Sequence, residues 1–213
     1  MKKQILNMTA MAVTVMGMMG GMSAAHADPG KSAASVEMKA TVAKTTCNVV
    51  VNDTQGVSTV VADFGTFVPA DLTGKVKTSP FEFSKPFTIS FADCAGDSVA
   101  QDGTVSLQGQ GPTAAGSSKT AYGDAGTDQK VGFDLSLTWQ NDASKSDITA
   151  TKGVLDPSHS TVDIYRAKAA TTPGDLKNDL PNVTVTPRFF TWNAADVGDA
   201  SLDTTVSVAV VYN

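Results

Sequence analysis

The fold class this sequence predicts is all-β, a two-layer sandwich of short strands. Apolar residues recur at every second position in segment after segment, which is the period of a half-buried strand. Between those segments lie Gly, Asp, Asn and Pro, the residues of tight turns. The clearest run is Val131, Phe133, Leu135, Leu137 and Trp139. On a helix those residues would fall all round the cylinder, so the run excludes an amphipathic helix.

The chain opens on Lys2 and Lys3, an apolar stretch over residues 8–22 and the small-x-small sequence Ala25-His26-Ala27. This is the pattern of a secretory signal peptide, residues 1–27, with the exported chain expected to begin at Asp28. All but one of the eight methionines lie within it; the exception is Met38. Residues 28–46 read as an amino-terminal extension and residues 47–213 as one domain. Within the extension Val36, Met38, Ala40 and Val42 alternate with Glu37, Lys39 and Thr41, behind the strand-breaking Asp28-Pro29-Gly30. A strand so near a free end has little local reason to stay folded. It has the form of a strand to be lent to something else.

After Cys47 a short β-rich run, Asn48-Val49-Val50-Val51, ends at Asn52-Asp53. Residues 57–67 follow as a strand in which Gly65 marks a bulge or a close backbone approach. Phe87, Ile89 and Phe91 alternate inward and lead to Cys94. Asp102-Gly103 is a turn signal before the strand Thr104-Val105-Ser106-Leu107-Gln108. Residues 109–129, rich in Gly, Ala, Ser and Thr, have no period and read as a long exposed loop. The run ending at Trp139 comes next, and residues 141–160 read as a second polar stretch. Val162, Ile164 and Arg166 mark a short strand, and Pro173-Gly174 a loop. Residues 182–192 carry Val183, Val185, Phe189 and Trp192, with Pro187 suggesting a bulge or an edge position. The last residues alternate Val206, Val208, Val210 and Tyr212 on one face. A final strand with no partner after it leaves a place for one, which the extension could fill.

The full chain carries a formal charge of −5, and losing Lys2 and Lys3 makes the exported part more acidic still. That argues against nucleic acid as a partner, and no stretch after the signal peptide is apolar for long enough to span a bilayer. Cys47 and Cys94, an even pair in an exported chain, read as one disulfide. Closing a loop of that size is worth about 4 kcal/mol in the chain-entropy account. With both cysteines committed, His159 is the one histidine beyond the signal peptide, in the turn-like Asp156-Pro157-Ser158-His159-Ser160. This inventory predicts no catalytic triad, no metal site and no cofactor. It points away from an enzyme.

Taken in order, the signal peptide, the alternating segment, Cys47, Val61-Ala62-Asp63-Phe64-Gly65, Phe87-Thr88-Ile89-Ser90-Phe91-Ala92-Asp93-Cys94, Val131-Gly132-Phe133 and the terminal Val210-Val211-Tyr212-Asn213 resemble the type 1 fimbrial pilins of the chaperone–usher pathway. The resemblance covers essentially the whole exported chain. It implies an incomplete immunoglobulin-like β-sandwich lacking its last strand, with an N-terminal donor-strand extension. It also implies export through the periplasm, pairing there with a chaperone and an outer-membrane usher, and head-to-tail polymerisation with other pilin subunits into a surface fimbrium that mediates adhesion. Val36, Met38, Ala40 and Val42 would be the donor-strand residues, and Val206, Val208, Val210 and Tyr212 the wall of the groove and the chaperone-facing strand. Ala40 stands where the family usually has glycine. The two long loops suggest an alternative, a minor or tip-associated subunit whose loops bind a host receptor directly.

Overall fold

A computed structural model describes residues 31–40, 45–55, 59–66, 69–96, 98–123, 130–192 and 202–213. The expected signal peptide, residues 1–27, together with Val42 and residues 124–129 of the first long loop, lies outside the described residues. Strands dominate: β1 (Lys31–Ala40), β2 (Thr45–Val51), β3 (Thr54–Gln55), β4 (Thr59–Thr66), β5 (Phe81–Glu82), β6 (Phe87–Gly96), β7 (Thr104–Gln110), β8 (Val131–Trp139), β9 (Lys152–Leu155), β10 (Thr161–Arg166), β11 (Val183–Thr191) and β12 (Leu202–Tyr212). They form a five-stranded sheet in the order β10-β7-β12-β1-β4 and a second sheet in the order β3-β2-β6-β11-β8-β9, with β5 also on β11. The inward residues of both sheets build one core. Val105, Leu107, Val206, Val208 and Val210 come from the first sheet, and Val51, Phe87, Ile89, Leu135, Leu137, Val183 and Val185 from the second. All five alternating residues of β8 are buried, as their spacing requires.

Irregularities fall where the pairing demands them. The β1–β4 ladder shifts at Phe64, since Ser32 pairs with Gly65 and Ala33 with Asp63, so the bulge expected at Gly65 lies beside it. A second shift, between Asp163 and Tyr165 in β10, leaves Ile164 and Tyr165 both fully buried. In the β2–β6 ladder Asp93 and Cys94 lie between partnered residues opposite the single Cys47. The positive φ of Asp93, 46°, fits this bulge. The expected disulfide joins Cys47 to Cys94 there.

Four expectations are corrected. Pro187 is neither a bulge nor an edge residue: it pairs with Leu135 in an unbroken β11–β8 ladder. Its carbonyl accepts from the Phe83 N–H on the opposite side. A residue's N–H and C=O point the same way along a strand, so the missing N–H falls where β11 passes from its β6 partners to its β5 partners. The first long loop is not exposed throughout. Ala114, Ser117, Ala121 and Tyr122 are buried, and Tyr122 exchanges two backbone hydrogen bonds with Phe133. Small residues permit this approach, because a Cβ on Gly132 would meet Tyr122 O at 2.7 Å and Ala121 Cβ at 2.8 Å. The polar stretch 141–160 contains β9, whose burial is carried mainly by Leu155. Finally, a helix occurs, α1 (Pro173–Asp179), anchored by the buried Leu176.

Candidate functional site

β1 lies between β12 and β4. It runs parallel to β12, from Ser32 opposite Leu202 to Ala40 opposite Val210, and antiparallel to β4 from Lys31 opposite Thr66 to Glu37 opposite Thr59. Without it, neither facing edge would have this partner, and two rows of backbone donors and acceptors would be bare. The β1–β12 pair is the one parallel pairing among the described strands. The sequence singled out the segment and its alternation but offered nothing on direction.

The side chain of Val36 is fully buried in the common core, at the position flanked by Val206 of β12 and Val60 of β4. Met38 pairs through its backbone register with Val208, and Ala40 with Val210. On β12, Val206, Val208 and Val210 are fully buried, and Tyr212 is partly buried against the same core. The predicted donor residues Val36, Met38 and Ala40 and the predicted groove residues of β12 are thus brought together in one chain. The sequence reading had the segment pair with a neighbouring subunit; here it pairs with β12 and β4 of its own chain.

At one end of the sandwich, β12 closes against the start of the domain. The Cys47 backbone N–H donates to the Tyr212 hydroxyl oxygen at 3.2 Å. Burial raises the pKa of the Tyr212 hydroxyl, against the opposing effect of that hydrogen bond. Thr104 and Asn213 exchange backbone bonds of 3.0 and 2.9 Å at the same end. The loops after β8 and β10 gather there too, because Asp147 N–H donates to Arg166 O and Lys168 N–H to Lys145 O. They line two shallow clefts. One, of about 280 Å³, is lined by residues including Asn141, Asp147 and Lys168. The other, of about 190 Å³, is lined by residues including Lys145, Thr171 and Asp179.

Two charge pairs that sequence reasoning missed brace the opposite sheet and its loops. Asp134, fully buried on the second face of β8, accepts two bonds of 2.7 Å from the Arg188 guanidinium on β11. Burial pushes the Asp134 carboxyl up, and Arg188 opposes it. Lys77 Nζ donates to Asp156 Oδ2 at 2.6 Å and to Thr120 O at 3.0 Å, tying three loops together. Burial raises the Asp156 pKa, but Lys77 and the backbone N–H groups of Ser158 and His159 outweigh it and hold the carboxyl below its usual range. Burial, with Asp156 and Asp134 nearby, raises the Tyr122 hydroxyl strongly. Asp134 alternates with the apolar residues of β8 and so reads as solvated from sequence. Only the register that sets it opposite Arg188 reveals the pair.

His159 is exposed, with Nδ1 3.2 Å from Asp156 Oδ1. Among the described residues no cluster of three or more His, Cys, Asp or Glu is arranged to hold a metal ion, and no helix is long and apolar enough to cross a membrane. A scan against protein-family models returned no match. A search of curated proteins returned none either.

Proposed function

We propose that this chain is a structural fimbrial subunit that polymerises by donor-strand exchange into a bacterial surface pilus mediating adhesion. The observation that carries the reading is the placement of β1, a strand from one chain end seated between β12 and β4. It is tethered to β2 by only residues 41–44. A strand paired on both sides yet attached by one short connection is separable from the sandwich. Its place can be taken by an equivalent strand, which is recognition by strand addition.

In this reading the domain without β1 is an incomplete immunoglobulin-like sandwich. Its open edges need cover at every stage, first from a periplasmic chaperone, then at the usher from another subunit. Backbone bonds supply generic pairing, and the apolar positions at Val36, Met38 and Ala40 set register. Function then requires neither catalysis nor a cofactor. The work is done by an open heterologous contact that repeats, which requires the lent strand to enter a neighbour in the direction opposite to the parallel one it takes in its own chain.

The test is expression of the full chain with its chaperone and usher, followed by shearing of the cell surface and electrophoresis with and without boiling. The expected result is a ladder of oligomers that collapses on heating and disappears when Val36→Asp places a carboxylate at the buried position. Recovery of the chain only as a soluble monomer, indifferent to that substitution, would overturn the proposal.

A further inference from the structure

We infer that two copies of this chain exchange β1 reciprocally, in the parallel register seen here, to form a closed two-fold dimer joined at the end that carries the Cys47–Cys94 disulfide. The inference rests on the reading of β1 as an exchangeable strand and adds a partner and a geometry to it.

The steps are topological. β1 finishes at Ala40 opposite Val210, near the carboxyl end of β12. β2 begins at Thr45, and the Cys47 N–H touches the Tyr212 hydroxyl at that same end. A strand lodged in a second copy in this direction therefore delivers its Ala40 to the second copy's Tyr212 end, while its own Thr45 stays at its own Tyr212 end. The five peptide steps from Ala40 to Thr45 span at most about 17 Å, so those two ends must face each other. The same surface then meets itself, and the second copy's β1 returns into the first groove by the same operation.

Such a contact is isologous and closes at two. Every pairing of β1 with β12 and β4 is retained, which is the low-cost form of exchange. Growth beyond two is excluded in this register because no groove remains open. The direction of the inserted strand thus separates a closed dimer from an extending filament.

The test uses the exported full-length chain carrying Ser35→Cys and Thr205→Cys, positions directly paired in the β1–β12 register, with Thr205 exposed. The chain is concentrated under reducing conditions mild enough to keep Cys47–Cys94, separated by size with light scattering, and then oxidised. The expected result is a discrete two-chain species in which oxidation links one chain to the other, beside a monomer in which it links each chain to itself. A second variant lacking Val42 and Ala43 leaves about 10 Å of connection, hardly the separation of two packed sheets. It should shift the population from monomer to dimer.

A two-chain species that cross-links only within each chain would overturn the inference. So would a folded short-connection variant that stays monomeric. Ladders of many chains with no discrete dimer would overturn the closed dimer and leave strand donation standing. A chain whose β1 never pairs with a tagged second copy under any condition would overturn both.

Discussion

Replacing Val36 by alanine tests whether β1 is held as a separable strand. Val36 is fully buried, and its substitution removes two methyl groups from the seam between β12 and β4. At about 0.8 kcal/mol per buried carbon, the lost transfer energy is about 1.6 kcal/mol. The cavity left behind brings the total to about 2 kcal/mol. Because β1 is tied to the domain only through residues 41–44, this loss should appear first in its local opening equilibrium and not in global unfolding. At 1.4 kcal/mol per tenfold, amides of β1 and their ladder partners on β12 and β4 should exchange with solvent about 30-fold faster. Amides in the β6–β11–β8 ladder should keep their rates. Val61→Ala is the control: Val61 is 61% exposed, and its replacement should stay within about 0.5 kcal/mol. Hydrogen exchange read by mass spectrometry on peptides from the two sheets resolves the difference. Equal acceleration in both sheets would mean that β1 opens only with the whole domain and is not separable from it.

Three further outcomes follow from the polar contacts. Arg188→Ala should cost about 3–5 kcal/mol in denaturant unfolding, since it leaves the buried Asp134 carboxylate without its guanidinium partner; replacing both residues by apolar ones of similar size should cost less. Asp156, held below its usual range by Lys77 and two backbone N–H groups, contributes stability that is present above the unfolded carboxylate pKa of about 4. That contribution is lost as pH falls through the lower folded value, so Asp156→Asn should flatten the acid limb of a stability–pH curve and leave the neutral-to-alkaline part unchanged in slope. Tyr212→Phe removes the acceptor for the Cys47 N–H and should cost about 1 kcal/mol, measured as a lower denaturant midpoint.

Much of the fold was legible because alternation is a local signal. Phe87, Ile89 and Phe91, or the five residues of β8, announce their inward face without reference to any partner. The segment that forms β1 and the final strand were legible for the same reason. What escaped depends on residues far apart in sequence. The partnership of Asp134 with Arg188 exists only through the β8–β11 register, and that of Lys77 with Asp156 only through the meeting of loops. The stretch that brings Tyr122 against β8 has no period because glycine and alanine, not large apolar residues, set its approach. Helix α1 is too short for its periodicity to register, and rests on Pro173 at its start and one buried leucine. The parallel direction of β1 has no sequence signature, since a strand's alternation reads the same from either end.

The most direct test of strand donation is a complementation measurement. The chain lacking residues 28–42 is refolded with its disulfide intact, in the presence and absence of a labelled synthetic peptide of residues 31–42, and the fraction folded and the bound label are read together. The shortened chain should aggregate or stay unfolded alone, and fold with one peptide bound in a complex that survives cold detergent but not boiling. A shortened chain that folds to a stable monomer and takes up no peptide would contradict strand donation.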